Sequence, residues 1–424
     1  MSKSKSYRLD DQEPVDCCQT DYWGARVNVL EPDLDWTSNF DLQGSVEVEV
    51  NDGAMLQQTI DNSNADTYTT IRITLDLVLP GPVYVTKGKT RIIGDGSTTI
   101  SFPQPNQPVA GFIQIESGEV VVSHLKYSCP VSQEGFAAIS VRSSATHVDN
   151  VLIEKNEVFG LEAEDGHAIL VDGREGNPIT NVTIQHNTIR DMVQGTSETI
   201  SLTGDVRRWL VFDNHIDNVN NIAIDAIGGE GRIECSSDPC DRECDSLQGT
   251  GSIDAAREGI IEANIIKNMI TTGPAQGAAI YVDGGRDIII RNNEVYDSDC
   301  GIEIGAENCV IAANILVSGN IVESSRFFDL KLGGYAKKGY LDFNSGSDVL
   351  CCKTDDVDEG HGYVCNITVG DDNQFRTTSQ EWKLNYRIRK SLLMGLGIAE
   401  QNANRDPDEE WTGGPDAHSF RTGP

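Results

Sequence analysis

No stretch of about 18 apolar residues occurs in this chain, so a membrane-spanning helix is not expected. The opening MSKSKSYRLDDQEPVDCC is polar and lacks an apolar h-region, so no signal peptide is read from it. Positive charge is scarce: 33 basic residues face 66 acidic ones, a formal net charge of −33. A surface that negative repels nucleic acid and anionic membranes, and neither is expected as a partner. It also handicaps an anionic substrate unless a cation or a local basic patch intervenes. Aromatics are few, at 6%, while 41 glycines accompany many β-branched residues, a mixture that suits strands joined by tight turns. No Ser-His-Asp order, P-loop, HExxH or dinucleotide fingerprint stands out.

Cysteine is present but not in zinc-like pairs. Cys235, Cys240 and Cys244 crowd ECSSDPCDREC, where the gaps of four and three residues depart from CxxC spacing. Cys17–Cys18 and Cys351–Cys352 are vicinal. Local disulfides stapling an exposed insertion are expected, which favours an oxidising compartment and an extracellular or cell-surface location. The odd total of 11 leaves at least one thiol unpaired within the chain.

One phrase returns along the middle of the chain: apolar, x, apolar, two mostly polar residues, Asn, x, apolar. It reads VLIEKNEV at 151, VTIQHNTI at 182, WLVFDNHI at 209, GIIEANII at 259, IIIRNNEV at 288 and ILVSGNIV at 315. Its asparagines are Asn156, Asn187, Asn214, Asn264, Asn293 and Asn320, spaced by 31, 27, 50, 29 and 27 residues. The long gap spans the cysteine-rich segment, as an insertion at about 231–252 in one coil would require. A near-constant period of short, strand-like matches indicates a β-solenoid. The Asn column itself reads as structural, accepting left-handed turns and bonding to the coils above and below.

A second strand follows each phrase: HAILVDG, ETISLTG, NIAIDAIGG, AAIYVDGG, GIEIGAEN and DLKLGG. Side chains alternate between faces, which predicts inward pairs Ile169 and Val171, Ile200 and Leu202, Ile222 and Ile224, Ile280 and Val282, Ile302 and Ile304, and Leu330 and Leu332. Upstream, DGAMLQQTIDNSNA carries Met55, Leu56 and Ile60 at helical spacing and predicts a short N-terminal helix capping the open end. The expected organisation is an extension over 1–44, the solenoid over 45–395 and a disordered tail over 396–424.

The outward positions then form columns. The position after the second inward residue reads Asp172, Thr203, Asp225, Asp283, Gly305 and Gly333. Two positions earlier stand Leu170, Ser201, Ala223, Tyr281, Glu303 and Lys331. This register makes Asp225 and Asp283 neighbours about 4.8 Å apart, with Glu303 one coil further on. Glu198, Glu230 and Glu307 lie at the strand edges, and Tyr281 projects between the acids. Stacked carboxylates repel one another, so stability does not explain them. Three readings stay open. A retaining glycosidase pair needs carboxyls about 5–5.5 Å apart. A calcium site needs converging oxygens, here Asp225 and Asp283. A solvated acidic face needs neither. Lys331 or Arg257 is the candidate base should the reaction be a lyase's.

Together, 195–231, 278–308 and DLKLGGY at 329–335 resemble the right-handed parallel β-helix repeat proteins of the pectin lyase-like superfamily, over roughly residues 45 to 395. The resemblance implies an all-β, single-stranded right-handed parallel β-helix and a carbohydrate-active protein, usually exported. The reaction is not carried over. The polygalacturonase set (NTD, a DD pair, GHG, RIK) is not found in its usual order, nor the DPH of alginate epimerases. The leading expectation is a glycoside hydrolase cleaving a plant or algal polysaccharide, using Asp225, Asp283, Glu303 and Glu230, with Tyr281, Glu198, Glu307, Lys331 and Arg257 binding substrate. No cofactor is then needed; a calcium-dependent polysaccharide lyase or a non-catalytic surface protein is the alternative. A monomer is expected.

Overall fold

A computed structural model describes Leu34 and residues 45–102, 110–129, 131–133, 135–174, 176–229, 255–271, 277–305, 311–332, 363–370, 372–377, 386–389 and 410–413. The chain winds as a right-handed parallel β-helix, each full coil giving one strand to each of three long sheets. Sheet I has 11 strands, from Val46–Val50 to Tyr363–Val369. Sheet II has 10, from Leu77–Val78 to Gln374–Phe375. Sheet III has 11, beginning at Val83–Val85. Its last parallel strand is Tyr386–Arg389, against which Glu410–Gly413 pairs antiparallel. That edge strand falls inside the segment whose composition suggested a disordered tail.

The core is a set of stacks running through the coils. Ile139, Ile169, Ile200, Ile224, Ile280, Ile302 and Leu330 lie in register and are buried. Beside them run Val141, Val171, Leu202, Ala226, Val282, Ile304 and Leu332. Each fully buried branched side chain contributes about 1.5–3 kcal/mol, a gain that exists only because a neighbouring coil covers it. One rung shows the packing constraint directly. Trp209 is wholly buried and faces Gly259 in the next coil, where a Cβ would come within 2.0 Å of the indole. Gly259→Ala is therefore expected to destabilise the protein by about 1–3 kcal/mol through overpacking, read as a lower urea midpoint; an unchanged midpoint would show that the indole can shift.

The repeated asparagines form a ladder between sheets I and II. Asn187 donates from Nδ2 to Asn214 Oδ1 (2.9 Å) and to the Ile153 carbonyl (3.0 Å), and its backbone N–H also reaches Asn214 Oδ1 (3.0 Å). The pattern repeats from Asn156 through Asn320 and ends on Asn373. The left-handed conformation expected of these asparagines belongs instead to the residue before each one: Lys155, His186, Asp213, Ala263, Asn292 and Gly319. Positive φ there turns the chain, and the following Asn, freed from that task, points inward to bond.

Helix α1, Gly53–Asp61, starts at Asp52, whose side chain accepts from the Ala54 N–H at 2.9 Å. Leu56 and Ile60 join the core, whereas Met55 is 49% exposed and lies off the apolar stripe. Ile222 was expected inside but lies outside; Ile224 and Ala226 occupy the two inward positions. The insertion at about 231–252, its three cysteines, Glu230 and Glu307 lie outside the described residues. Among the described residues, Cys129 and Cys300 are buried.

Candidate functional site

The outer face of sheet III carries the candidate residues, and its register differs from the one expected. Ser140, Leu170, Ser201, Asp225, Tyr281, Glu303 and Lys331 form one in-register column. The neighbouring column holds Arg142, Asp172 and Thr203, then Ile227. Asp283 follows in that second column, opposite Gly305. Asp225 thus faces Tyr281, not Asp283, and Ala223 is a core residue. The cause is local. In IAIDAI the inward pair can be placed at Ile222 and Ile224 or, two residues on in the same alternation, at Ile224 and Ala226; the structure takes the second and leaves Ile222 outside the main core.

The shift of two residues keeps Asp225 outward but changes its geometry. Asp225 and Asp283 now sit diagonally on adjacent coils, a relation that separates Cα atoms by about 7–8 Å. Tyr281 stands between Asp225 and Glu303 in the column. It packs with Ala278, Cys300 and Phe328 in a small apolar cluster on the outside of the sheet, against which Ile222 also rests.

Burial on this outward face is high. Asp225, Glu303, Asp283 and Asp172 are 2%, 4%, 7% and 7% exposed. Buried acids need partners. Lys331 Nζ lies 2.5 Å from Glu303 Oε1, the next rung of the same column. Arg142 approaches Asp172 at 3.7 Å. His167 Nδ1 lies 2.8 Å from the Glu198 carbonyl and 3.7 Å from its carboxylate.

Burial pushes the His167 imidazole below its ordinary pKa, opposed by the Glu198 carbonyl and Asp165 and reinforced by Arg142. The folded state therefore prefers neutral His167, and the unfolded chain binds its proton at higher pH. Stability is expected to fall as pH drops through about 6.5 toward the lowered folded value. His167→Gln should flatten that slope in denaturation curves between pH 7 and 5; an unchanged slope would assign it to other groups.

Arg257 does not belong to this face. It starts a sheet I strand, in register between Arg207 and Arg286, and its Nη2 lies 3.0 Å from Asp205. Asp205 is fully buried and also holds Arg207, at 2.7 Å. Burial lowers the Arg257 pKa, with Asp205 opposing. Sequence reasoning missed this knot, although TGDVRR directly after a sheet III strand placed an acid and two arginines at one corner. The face thus unites Asp225, Tyr281, Glu303 and Lys331, with Asp283 across the diagonal and Glu198 one coil earlier beside Ile222. Among the described residues, no three His, Cys, Asp or Glu side chains converge to hold a metal ion, and none of the described helices is long and apolar enough to cross a membrane.

No family model matches the chain. It is 34% identical over 217 residues to the uncharacterized protein YwoF of Bacillus subtilis (strain 168), covering 49% of this chain and 42% of that protein, so it spans less than half of the relative's length. Among solved structures, an alginate lyase from Paenibacillus sp. str. FPU-7 is similar with a TM-score of 0.43 at 11% identity, covering 78% of this chain and 98% of that one. The pectate lyase Bsp165PelA from Bacillus sp. N165, in complex with trigalacturonate, gives 0.38 at 16% identity, covering 62% and 74%. The catalytic domain of a GH87 α-1,3-glucanase with nigerose gives 0.33 at 13%, covering 83% and 68%. Similarity at this level does not assign a reaction.

Proposed function

We propose that the outer face of sheet III is a glycan cleft and that the protein is a glycoside hydrolase of the inverting type. The observation that carries this reading is the set of buried carboxylates on an outward strand face, Asp225 and Asp283 on the diagonal with Glu303 above. Burying acids costs free energy unless they are paired, so buried carboxylates gathered on an outward strand face are candidates for function rather than stability. The diagonal sets the two Cα atoms about 7–8 Å apart, further than neighbouring rungs at about 4.8 Å, and a wider pair favours the inverting arrangement, which needs room for a water, over the retaining one. One carboxylic acid protonates the departing glycosidic oxygen. The other carboxylate takes a proton from the water whose oxygen attacks the anomeric carbon. Water is consumed and the proton is returned to the first group. Glu303, held by Lys331, and Tyr281 would orient the sugar between them.

The calcium-dependent lyase fits less well. Asp225 and Asp283 stand in different columns, with no third described carboxylate converging on them. Lys331, its candidate base, is engaged by the Glu303 carboxylate at 2.5 Å.

The test is incubation with neutral and uronic-acid polysaccharides, with and without calcium, reading reducing ends and unsaturated-uronate absorbance together. New reducing ends without absorbance, and a product of inverted anomeric configuration by proton NMR, are expected. Absorbance together with new ends would establish a lyase instead. Silence across the panel would favour a non-catalytic surface protein.

A further inference from the structure

The Asp205 knot shows what a firmly held arginine looks like in this fold. Arg207 meets both carboxylate oxygens, Nε at 2.7 Å and Nη2 at 2.9 Å, and Arg257 Nη2 adds a third contact at 3.0 Å. Arg142, on the outer face of sheet III, is held far less well. Its Nη1 lies 3.7 Å from Asp172, beyond hydrogen-bond distance. Its Nε is shut off from solvent and has no hydrogen-bond partner among the described residues. Glu116 precedes it in the same column, but that carboxylate accepts from the Gln114 amide. A second guanidinium belongs to the same corner. Arg174 is exposed and follows the sheet III strand of the next coil. Its backbone N–H donates to Ser143 Oγ at 2.9 Å, tying it to the turn that Arg142 enters. Burial holds the Arg142 guanidinium below its ordinary pKa, the charge of Arg174 adds to that effect, and Glu116 opposes it. Two like charges side by side, one with an unmet buried donor, cost free energy. A chain with 66 acidic residues has left this corner without a well-placed one.

We propose, resting on the glycan-cleft reading, that Arg142 and Arg174 form an anion subsite at one end of that cleft, which takes the carboxylate or sulfate of an acidic sugar ring. A guanidinium presents its N–H groups in a fixed fork that pairs with two oxygens of such an anion. The bound oxyanion gives the Arg142 Nε the acceptor it lacks and lies between the two positive charges. Position supports the role. The second outward column of sheet III runs Arg142, Asp172, Thr203, Ile227 and Asp283. Arg142 is therefore four rungs from Asp283, about 19 Å at about 4.8 Å per rung. A glycan lying across the strands reaches both, with several rings between the bond that is cut and the ring that is held. The two arginines also offset the repulsion that a surface of this net charge exerts on an acidic polymer.

Calorimetric titration of the full chain carrying Asp283→Asn, so that nothing is cut, tests it with two matched pairs. One pair is oligogalacturonate and its neutral methyl ester; the other is a sulfated galactan oligosaccharide and its desulfated form. In one pair the acidic member should bind about tenfold more tightly than its neutral counterpart, and which pair shows it identifies carboxylate or sulfate as the group held. Adding Arg142→Gln and Arg174→Gln should remove that preference and leave the neutral form's affinity unchanged. Arg174→Gln alone, at an exposed position, should lose part of it. Equal affinities within both pairs, or a preference that survives both substitutions, would overturn the proposal. Where none of the four binds, the failure lies with the glycan-cleft reading, and sodium sulfate tests the subsite by itself. Sulfate should raise the melting temperature of the unaltered protein more than that of the double arginine variant; an equal rise in both would overturn the subsite as well.

Discussion

Asp225→Asn is expected to lower kcat/KM on the responsive glycan by about 10³-fold, within the range that a positioned proton donor or acceptor supplies. Asparagine keeps the size and polarity of the side chain, and the site is buried on a strand between Ser201 and Tyr281, so the fold should survive. What is lost is proton exchange alone. The fall should therefore appear in kcat with KM little changed. Asp283→Asn should behave alike, and the double variant should be little worse than either single one, because the two act in one step. Asp172 supplies the control. It occupies the column of Asp283 three coils earlier and is engaged by Arg142, so Asp172→Asn should keep most of the activity. Full activity in Asp225→Asn would remove that residue from the chemistry.

Asn264→Ala is expected to cost about 4 kcal/mol of stability. Asn264 Oδ1 accepts from both the backbone N–H and the side-chain amide of Asn214, each at 3.0 Å. Its Nδ2 donates to the Val211 carbonyl and to Asn293 Oδ1, each at 2.9 Å. Alanine removes all of these at once inside a fully buried ladder. Every buried polar group left unpaired costs about 1–3 kcal/mol. Urea unfolding followed by circular dichroism reads the loss, and a local transition confined to the coils around Asn264 would be a natural form for it in a repeat fold. A change below about 1 kcal/mol would mean that water replaces the ladder's bonds.

The same ladder shows what was legible in the sequence. Six phrases with a recurrent Asn gave the coil period directly, because an Asn bonded to its equivalents above and below must recur once per coil. The residue bearing positive φ was not legible. Lys155, His186, Asp213, Ala263 and Asn292 share no side-chain chemistry, since their task is carried by the backbone. Sheet III was read correctly wherever a large residue marked each inward position, as in Ile280 and Val282. It was misread at NIAIDAIGG, where Ala226 fills an inward place and Ile222 packs outside against Tyr281 and Phe328. That ambiguity moved Asp225 by one column and turned an adjacent pair into a diagonal one. Arg257 was misplaced for a related reason. Nearness in sequence to a sheet III strand says nothing about which side of the turn a side chain takes, and Asp205 draws this one to the neighbouring sheet.

The central claim is that the outward column of sheet III receives a glycan. A crystal structure of Asp283→Asn soaked with an oligosaccharide from the responsive polymer tests it most directly. The account predicts a sugar chain lying across the strands of sheet III, with one ring against Tyr281 and hydroxyls within hydrogen-bond reach of Asp225 and Glu303. An oligosaccharide bound elsewhere on the solenoid, with this face unoccupied, would contradict it.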